Sequence, residues 1–523
     1  MNKINVNVTR SQYSVIKRVL GDVFGYNLIT TPTNNWDLYW SDWGVNAEFV
    51  SKLKPYQKVN HFPNMSCLAR KNCLGRNLIR MKKAFAKDYN FFPSTWTLPT
   101  QRKELQEEIA KGNNKTYIVK PEALCQGKGI FLIKNLDKVP YNEHYVVQRY
   151  ITKPYLIEGL KFDLRIYVLV YGCDPLRIFL FKEGLARLAT EKYVKPNRIN
   201  MDNLYMHLTN YAINKNNRKF VFNTDADNAN IGHKRSLEFV WNYIDANGGD
   251  SRSLRRKIKR AIIKSFCAVQ PQLKQCLNSC LPLNFHNSTC FEVMGFDIML
   301  DHKLKPWLLE VNSAPSFCTD SPFDNKVKTK LITDTVKILN ITVERKLEYQ
   351  RKEQERIRTR AFNEEKRTKE EKEMLKEAIM DERDEYELKH CGDFTRIYPD
   401  EKLNDKYQAF IDYAAEELEQ SYGVNKHEPL LNPKKSTRSN SIALFIPRPK
   451  TGKRDRTTTK GLNDEAVKEK LGVKLYNALK SKSSNDRSVL IDKKDTSNKE
   501  QASSPTLNSP LNEYEESDKY HFT

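Results

Sequence analysis

One stretch, from Cys290 to Phe317, constrains the fold more than any other part of the chain. Two apolar runs, Cys290–Leu300 and Leu304–Val311, flank the polar turn Asp301-His302-Lys303. That is the pattern of a β-hairpin, and the runs are apolar on both faces, as in a sheet covered on both sides. Three polar groups interrupt them: Asp297, Glu310 and Asn312. A two- or four-residue turn centred between His302 and Lys303 pairs Asp297 with Leu308. Glu310 and Asn312 then share the face of Asp297, because side chains alternate with period two; a three-residue turn would separate them. Two carboxylates and an amide oxygen converging among apolar residues need a cation, since a buried unpaired charge is costly. An all-oxygen set suits Mg²⁺. The competing reading makes Asp297 and Glu310 ordinary residues of an edge or a solvent face.

The strands upstream carry charge in a related way. Lys161, Asp163 and Arg165 alternate along the apolar run Leu156–Val170, which places all three on one face. They must pair with each other or with a charged ligand. Tyr117–Pro121 and Ile130–Ile133 enclose Gln126-Gly127-Lys128-Gly129. Strand, glycine loop, strand differs from the phosphate loop that ends in a helix. It reads as a hairpin lid whose glycines let backbone N–H groups approach phosphates, with Lys120 and Lys128 adding charge, or as an ordinary hairpin turn. Leu74, Leu78 and Met81 form one helical stripe, and Leu254, Ile258, Ile262 and Phe266 another. A further helix is expected from Lys328 to Asn340. Repeated strands and helices over 117–340 give an α+β or α/β domain of catalytic size.

Charge enters the argument next. Lys+Arg 88 against Asp+Glu 65 gives a formal net charge of +23, and such a surface attracts polyanions: nucleic acid, anionic lipid or acidic protein tails. No nucleic-acid module is recognised, and basic residues are not interleaved with aromatics as stacking platforms require. The Cys 10 lack a Cys-x-x-Cys pair, so reduced intracellular thiols are expected. Met1–Arg10 is polar and no run of about 18 apolar residues appears, so neither a signal peptide nor a membrane span is expected. Glu344–His390 is almost wholly charged and reads as one long exposed helix without the stripe a coiled coil needs. Leu403–Tyr422 is amphipathic, and from about Gly423 the composition is that of a disordered tail.

Taken together and in order, Lys120-Pro121 with the Gln126–Gly129 loop, Lys161–Arg165, His207-Leu-Thr-Asn-Tyr211 and the Asp297…Glu310-Val-Asn312 hairpin resemble the ATP-grasp ligases of the tubulin tyrosine ligase-like family. Asn60-His-Phe-Pro63, Arg76-Asn77 and Phe394–Pro399 look like its polyglutamylase branch. The resemblance covers roughly residues 30–420. It implies an α+β ATP-grasp fold with an N-terminal lobe (1–115), a central lobe with the ATP lid (116–180) and a C-terminal lobe with the metal hairpin (181–340). A basic helical microtubule-binding region (341–422) and the disordered tail (423–523) would follow.

The resemblance also implies roles. Lys120, Gln126 and Gly127 would hold ATP phosphates. Gln148, Arg149, Tyr150 and Ile151 would form the adenine hinge. Lys161, Phe162 and Asp163 would line the nucleotide, opposite Thr209 and Asn210. Asp297, Glu310 and Asn312 would ligate Mg²⁺, and Arg165 would meet the transferred phosphate. Arg187, Tyr211, Lys234 and Lys328 would bind free L-glutamate, with Ser313 near the acceptor where chain-elongating relatives carry His. The implied activity is an ATP- and Mg²⁺-dependent polyglutamylase acting on the acidic tails of tubulin in microtubules. The implied state is a monomer, and the implied place is cytoplasm and cytoskeleton, at a cilium axoneme or basal body. The alternatives are a tubulin glycylase, a ligase for another acidic protein, and an inactive microtubule-binding protein.

Overall fold

A computed structural model of the protein describes residues 3–112, 114–124, 126–225, 228, 230–281, 288–361, 369–400 and 402–422. The expected tail from 423 and Cys125 of the lid lie outside the described residues. Three sheets carry the architecture. A parallel sheet near the N-terminus has the order β2-β1-β3-β4, with β1 Asn5–Arg10, β2 Asn27–Ile29, β3 Leu38–Ser41 and β4 Lys58–Val59. An antiparallel sheet has the order β5-β8-β6-β7, from β5 Thr95–Leu98, β6 Tyr117–Pro121, β7 Phe131–Ile133 and β8 Tyr145–Arg149.

The third sheet has seven strands, ordered β12-β11-β10-β13-β14, with β9 added to β10 and β15 to β11. Its strands are β9 Leu156–Ile157, β10 Leu160–Cys173, β11 Leu176–Lys192, β12 Lys234–Ser236, β13 Glu292–Leu300, β14 Pro306–Asn312 and β15 Phe394–Tyr398. The resemblance put the central lobe at 116–180, but β10 pairs with β11 and β13 in this large sheet. Only β6, β7 and β8 of that interval share the smaller antiparallel sheet, where β5 joins them.

Alternation along β10 explains how the layers stack. Phe162, Leu164, Ile166 and Val168 point to one face, where they pack with α1 (Lys71–Ala84) and α2 (Ser251–Cys267) through the two expected stripes. Each buried Leu or Ile in those stripes contributes about 1.5–3 kcal/mol. Tyr167, Leu169 and Tyr171 point to the other face, against β1, β3 and α3 (Pro322–Leu339). Lys161, Asp163 and Arg165 continue that second face, so one surface of the strand changes from apolar to charged along its length. The smaller antiparallel sheet keeps a separate core of Leu98, Leu105, Tyr117, Val119 and neighbours.

The helix expected from Lys328 starts six residues earlier, at Pro322. Ser321 caps it, its Oγ accepting from Asp324 N at 3.1 Å, and proline at the first position loses no hydrogen bond. It stops at Asn340, whose φ of 51° is the left-handed conformation that commonly ends a helix. Asn60 and His61 stitch the first sheet to β13. The Asn60 amide bonds both backbone groups of Ser41, and His61 bridges the Ser41 carbonyl at 2.9 Å and the Glu292 carboxylate at 3.0 Å.

The charged region is not exposed along its whole length. It contains α4 (Val343–Ala361) and α5 (Lys369–Lys389). Arg345 reaches Glu382 at 2.7 Å, Lys346 reaches the buried Asp37 at 2.8 Å, and Tyr56 packs on Tyr349. Glu387 is 1% exposed and takes the Arg177 guanidinium of β11 at 2.7 Å. A buried charge of that kind must be paired, so the last turns of α5 are docked. The following β15 and α6 (Asn404–Ser421) belong to the body: β15 pairs with β11, and Tyr407 and Phe410 of α6 join the core beside α2. Among the described residues no helix is long and apolar enough to cross a membrane.

Candidate active site

The hairpin register decides what the polar residues can do. Asp301 closes the turn: its side chain accepts from the backbone N–H of Lys303 and Lys305 and from the Trp307 indole, at 2.9–3.0 Å, while Leu304 adopts φ 55°. Leu300, Met299 and Ile298 then face Pro306, Trp307 and Leu308. Asp297 therefore does not face Leu308, as a two- or four-residue turn would have it. The tip has the register of a three-residue turn, which by itself would have put Glu310 on the wrong face. A β-bulge at Leu309 absorbs one residue, so that Asp297 pairs with Glu310 and Gly295 with Asn312. All three polar side chains share one face after all. The Asn312 amide lies 3.4 Å from Glu310 Oε1 and 3.5 Å from Asp297 Oδ2.

Cross-strand pairing extends this into two rows. Glu310, Asp297 and Arg165 lie side by side across β14, β13 and β10, and Asp163, Arg187 and Lys234 across β10, β11 and β12. Arg165 grips Asp297 with Nε at 2.6 Å and Nη2 at 3.1 Å. Arg187 grips Asp163 through Nε and Nη2, both at 2.7 Å, and Nη2 also reaches Asp297 at 2.8 Å. Thr209 Oγ1 donates to Asp163 at 2.6 Å. Gly295 makes room for this. A Cβ there would stand 2.9 Å from Arg165 Cδ and 3.0 Å from its Nε. Of the two explanations for alternating charges on β10, the internal ion-pair ladder holds for Asp163 and Arg165.

Lys161 is different. It is 3% exposed, has no carboxylate partner among the described residues, and donates to the Tyr150 hydroxyl at 2.8 Å and the His207 carbonyl at 2.5 Å. Burial pulls its ammonium down to about 7. The same burial, with the Lys161 charge beside it, holds His207 down at about 4, so the imidazole is neutral. Lys120, 7% exposed, is fixed by Gln148 Oε1 at 2.7 Å, and Gln148 in turn donates to Thr95 at 3.2 Å.

A cleft runs over these groups. Its polar floor is Lys120, Lys161, Asp163, Asp297 and Glu310; its apolar wall is Ile118, Ile130, Met299 and Leu309; the hinge 148–151 and Thr209-Asn210 close it. The lid tip lies against the last of these: a Cβ on Gly127, whose φ is +83°, would fall 2.5 Å from Ile213 and 3.1 Å from the Asn210 side chain. Lys71 and Asn72 of α1 hold the lid from outside, through the Leu124 carbonyl at 2.8 Å and the Glu122 carboxylate at 2.5 Å. The electrostatics of the floor are uneven. Burial opposes the Asp297 charge, but the Arg165 and Arg187 guanidiniums outweigh it and hold that carboxyl below the usual range. Burial and then the Asp297 charge push the Glu310 carboxyl up. Lys120 and Lys71 offset this only in part at the Glu310 end, and the two carboxylates with the Asn312 amide fit a hard divalent ion such as Mg²⁺.

Comparison with known proteins follows from this geometry. A model of the tubulin-tyrosine ligase family matches residues 50–351. A probable beta-tubulin polyglutamylase of Tetrahymena thermophila is 47% identical over 427 residues, 80% of this chain and 36% of its own. Tubulin polyglutamylase TTLL6 of Mus musculus is 42% identical over 412 residues, 78% of this chain and 49% of its own. The chain belongs to the tubulin-tyrosine ligase family. Tubulin polyglutamylase TTLL7 of Mus musculus is 37% identical over 468 residues, 84% of this chain and 51% of its own, so the chain spans between about a third and a half of the length of these relatives. The span matched by the family model contains every residue of both charged rows, the hinge and the lid.

Most of the residues singled out from sequence meet here, but not all. Phe162 does not line the cleft: it is one step out of phase with Lys161 and Asp163, points to the opposite face and is 1% exposed in the core beside Tyr155. Gln126 is exposed at the lid tip, with φ 60°. Ser313 is half-buried just past β14. Tyr211, Lys234 and Lys328 form a second cluster around the buried Asp324. Sequence reasoning missed the roles of His207, Met299, Leu309 and Asp324. Met299 was available by alternation from Asp297, and Asp324 by its i,i+4 spacing from Lys328. Nothing local marks Leu309 as the bulge.

Proposed function

We propose that this chain is an ATP- and Mg²⁺-dependent ligase that joins L-glutamate, through an isopeptide bond, to side-chain carboxylates of glutamates in the acidic C-terminal tails of tubulin. The observation that carries the reading is the pair of charged rows on one sheet face, with an apolar-walled cleft on one side and two buried lysines on the other. The relatives, each named a tubulin polyglutamylase, support the choice of substrate.

Each part of the cleft has a task in that reaction. The Arg149 and Tyr150 N–H groups already donate to Ser94 and Thr116 carbonyls at 2.8 and 2.9 Å, which leaves the Ile151 backbone to a base seated between Ile118, Ile130, Met299 and Leu309. Lys120 and Lys161 face the phosphates, with the lid amides around Gly127 above them. Asp297, Glu310 and Asn312 would hold Mg²⁺, which neutralises phosphate charge when bound. An acceptor carboxylate oxygen attacks the γ-phosphorus, the bond to the bridging oxygen of ADP breaks, and an acyl phosphate forms. The neutral amine of glutamate then attacks the acyl carbon, phosphate leaves and the amine proton is released. Arg165 stands where charge grows on the transferred group. No side-chain nucleophile is required, and positioning supplies most of the acceleration. Basic residues of α4, among them the exposed Arg351, Lys352 and Arg358, would hold the negative microtubule surface and raise the local concentration of tails.

The test is transfer of labelled glutamate to microtubules in the presence of Mg²⁺ and ATP, with labelled glycine and excised tail peptide as parallel arms. Label from glutamate alone, entering microtubules faster than peptide at equal tail concentration, is the expected result. Glycine transfer would replace this reading with a glycylase, and equal rates on peptide would remove the role of α4. No transfer of either amino acid would leave a binding protein.

The state of Lys161 adds a pH dependence. Its folded pKa is depressed, so the free site is half neutral near pH 7. Bound phosphates favour the ammonium, so binding takes up a proton above that pH. Affinity for Mg·ATP is expected to be flat below pH 7 and to fall by up to about tenfold per unit above it. Calorimetry in two buffers of different ionisation enthalpy would show the uptake; equal affinities at pH 6.5 and 8.5 would rule it out.

A further inference from the structure

The second cluster contains a charge that the reaction scheme leaves unexplained. Asp324, in the first turn of α3, is 0% exposed. Its Oδ2 lies 2.7 Å from Lys234 Nζ and its Oδ1 lies 2.9 Å from Lys328 Nζ. Ser321 Oγ donates to Oδ2 at 3.0 Å and fixes the carboxylate plane. Both lysines are themselves buried, at 8% and 4% exposed. Lys328 also donates to the Cys318 carbonyl, and Lys234 sits 3.5 Å above the Tyr211 ring. Two ammonium groups therefore share one carboxylate in a confined space, a trio with one positive charge in excess. Lys234 is the direct cross-strand neighbour of Arg187, so their side chains share a face at about 5 Å. The excess charge thus stands at the end of the row that holds Asp163 and Arg187.

We propose that Asp324 is a positioning and specificity-determining residue for the incoming amino acid. It holds Lys234 and Lys328 in place and limits the trio to the single positive charge that one substrate carboxylate neutralises. This rests on the glutamate-ligase reading. A substrate with a second carboxylate satisfies the trio, while a zwitterion with only one, already engaged elsewhere, leaves it unpaired. Without Asp324, two buried ammoniums face each other and one gives up its proton.

The test is Asp324→Asn in the full chain, which keeps the shape and removes the charge. The KM for glutamate at pH 8 is expected to rise at least tenfold, with kcat falling by less than KM rises. The deficit should shrink toward pH 6.5 as the lost proton is regained, with a smaller change in the parent over that range. Tyr211, Asp320, Cys318 and Tyr167 also face the trio, and all four are present in both proteins. A merely structural role would give no such pH trend. Unchanged Mg·ATP affinity reports an intact fold. If Asp324→Asn does not fold, Ser321→Ala, which frees the carboxylate without touching either lysine, should raise KM about threefold. A KM within twofold of the parent at both pH values overturns the proposal. A parent that neither binds nor transfers glutamate overturns the underlying reading instead, and this inference with it.

Discussion

Glu310→Gln is expected to yield a folded protein that melts no lower than its parent and transfers glutamate at least a hundredfold more slowly. The two halves of that result have one cause. Glu310 faces Asp297 directly across the hairpin, and burial and that neighbouring charge already push its carboxyl up. A neutral amide relieves the repulsion, so stability is kept or gained. The same change removes one of the two carboxylates of the hairpin, and losing a single preorganised charge-stabilising group commonly costs about 10²–10³ in rate. Scanning calorimetry beside the labelled-glutamate assay measures both. Retained activity would mean that the hairpin carboxylates do not serve the reaction.

Arg187→Met should lose activity and stability together. Among the described residues Arg187 is the one cation paired with Asp163, and it is the second paired with Asp297. Removing it leaves Asp163, 4% exposed, with the Thr209 hydroxyl. Stripping one partner from a buried pair costs about 3–5 kcal/mol, visible as a lower urea midpoint. Arg187→Lys should not restore it, because an ammonium cannot span both oxygens of Asp163 and still reach Asp297. A midpoint equal to that of the parent would show that these carboxylates are solvated or protonated rather than paired.

What could be read from the sequence follows from which signals are local. Alternation placed Lys161, Asp163 and Arg165 on one face, and the apolar stripes located α1 and α2, because both depend only on residues a few positions apart. The hairpin was recognisable for the same reason, yet its register was not. The expected facing of Asp297 and Leu308 failed because the tip and the shaft follow different registers, reconciled at Leu309 by a bulge that no residue type announces. Phe162 was assigned to the cleft by resemblance although its own parity contradicts it. The charged segment reads as a long exposed helix because composition shows what a helix exposes, not a residue such as Glu387 that it buries. The start of α3 is legible in Ser321-Pro322, a capping residue followed by a proline, six residues ahead of Lys328.

The anchoring of α5 has a consequence for reach. Arg177, which holds Glu387, lies on β11, and the same strand carries Arg187 ten residues further along. β15, which follows α5, is hydrogen-bonded to that strand as well. The outrigger and the reacting centre are thus mounted on a single girder. On the proposed function, which glutamate of a tail comes within range would be set by that fixed offset, much as the span of a pair of dividers sets where its second point can fall.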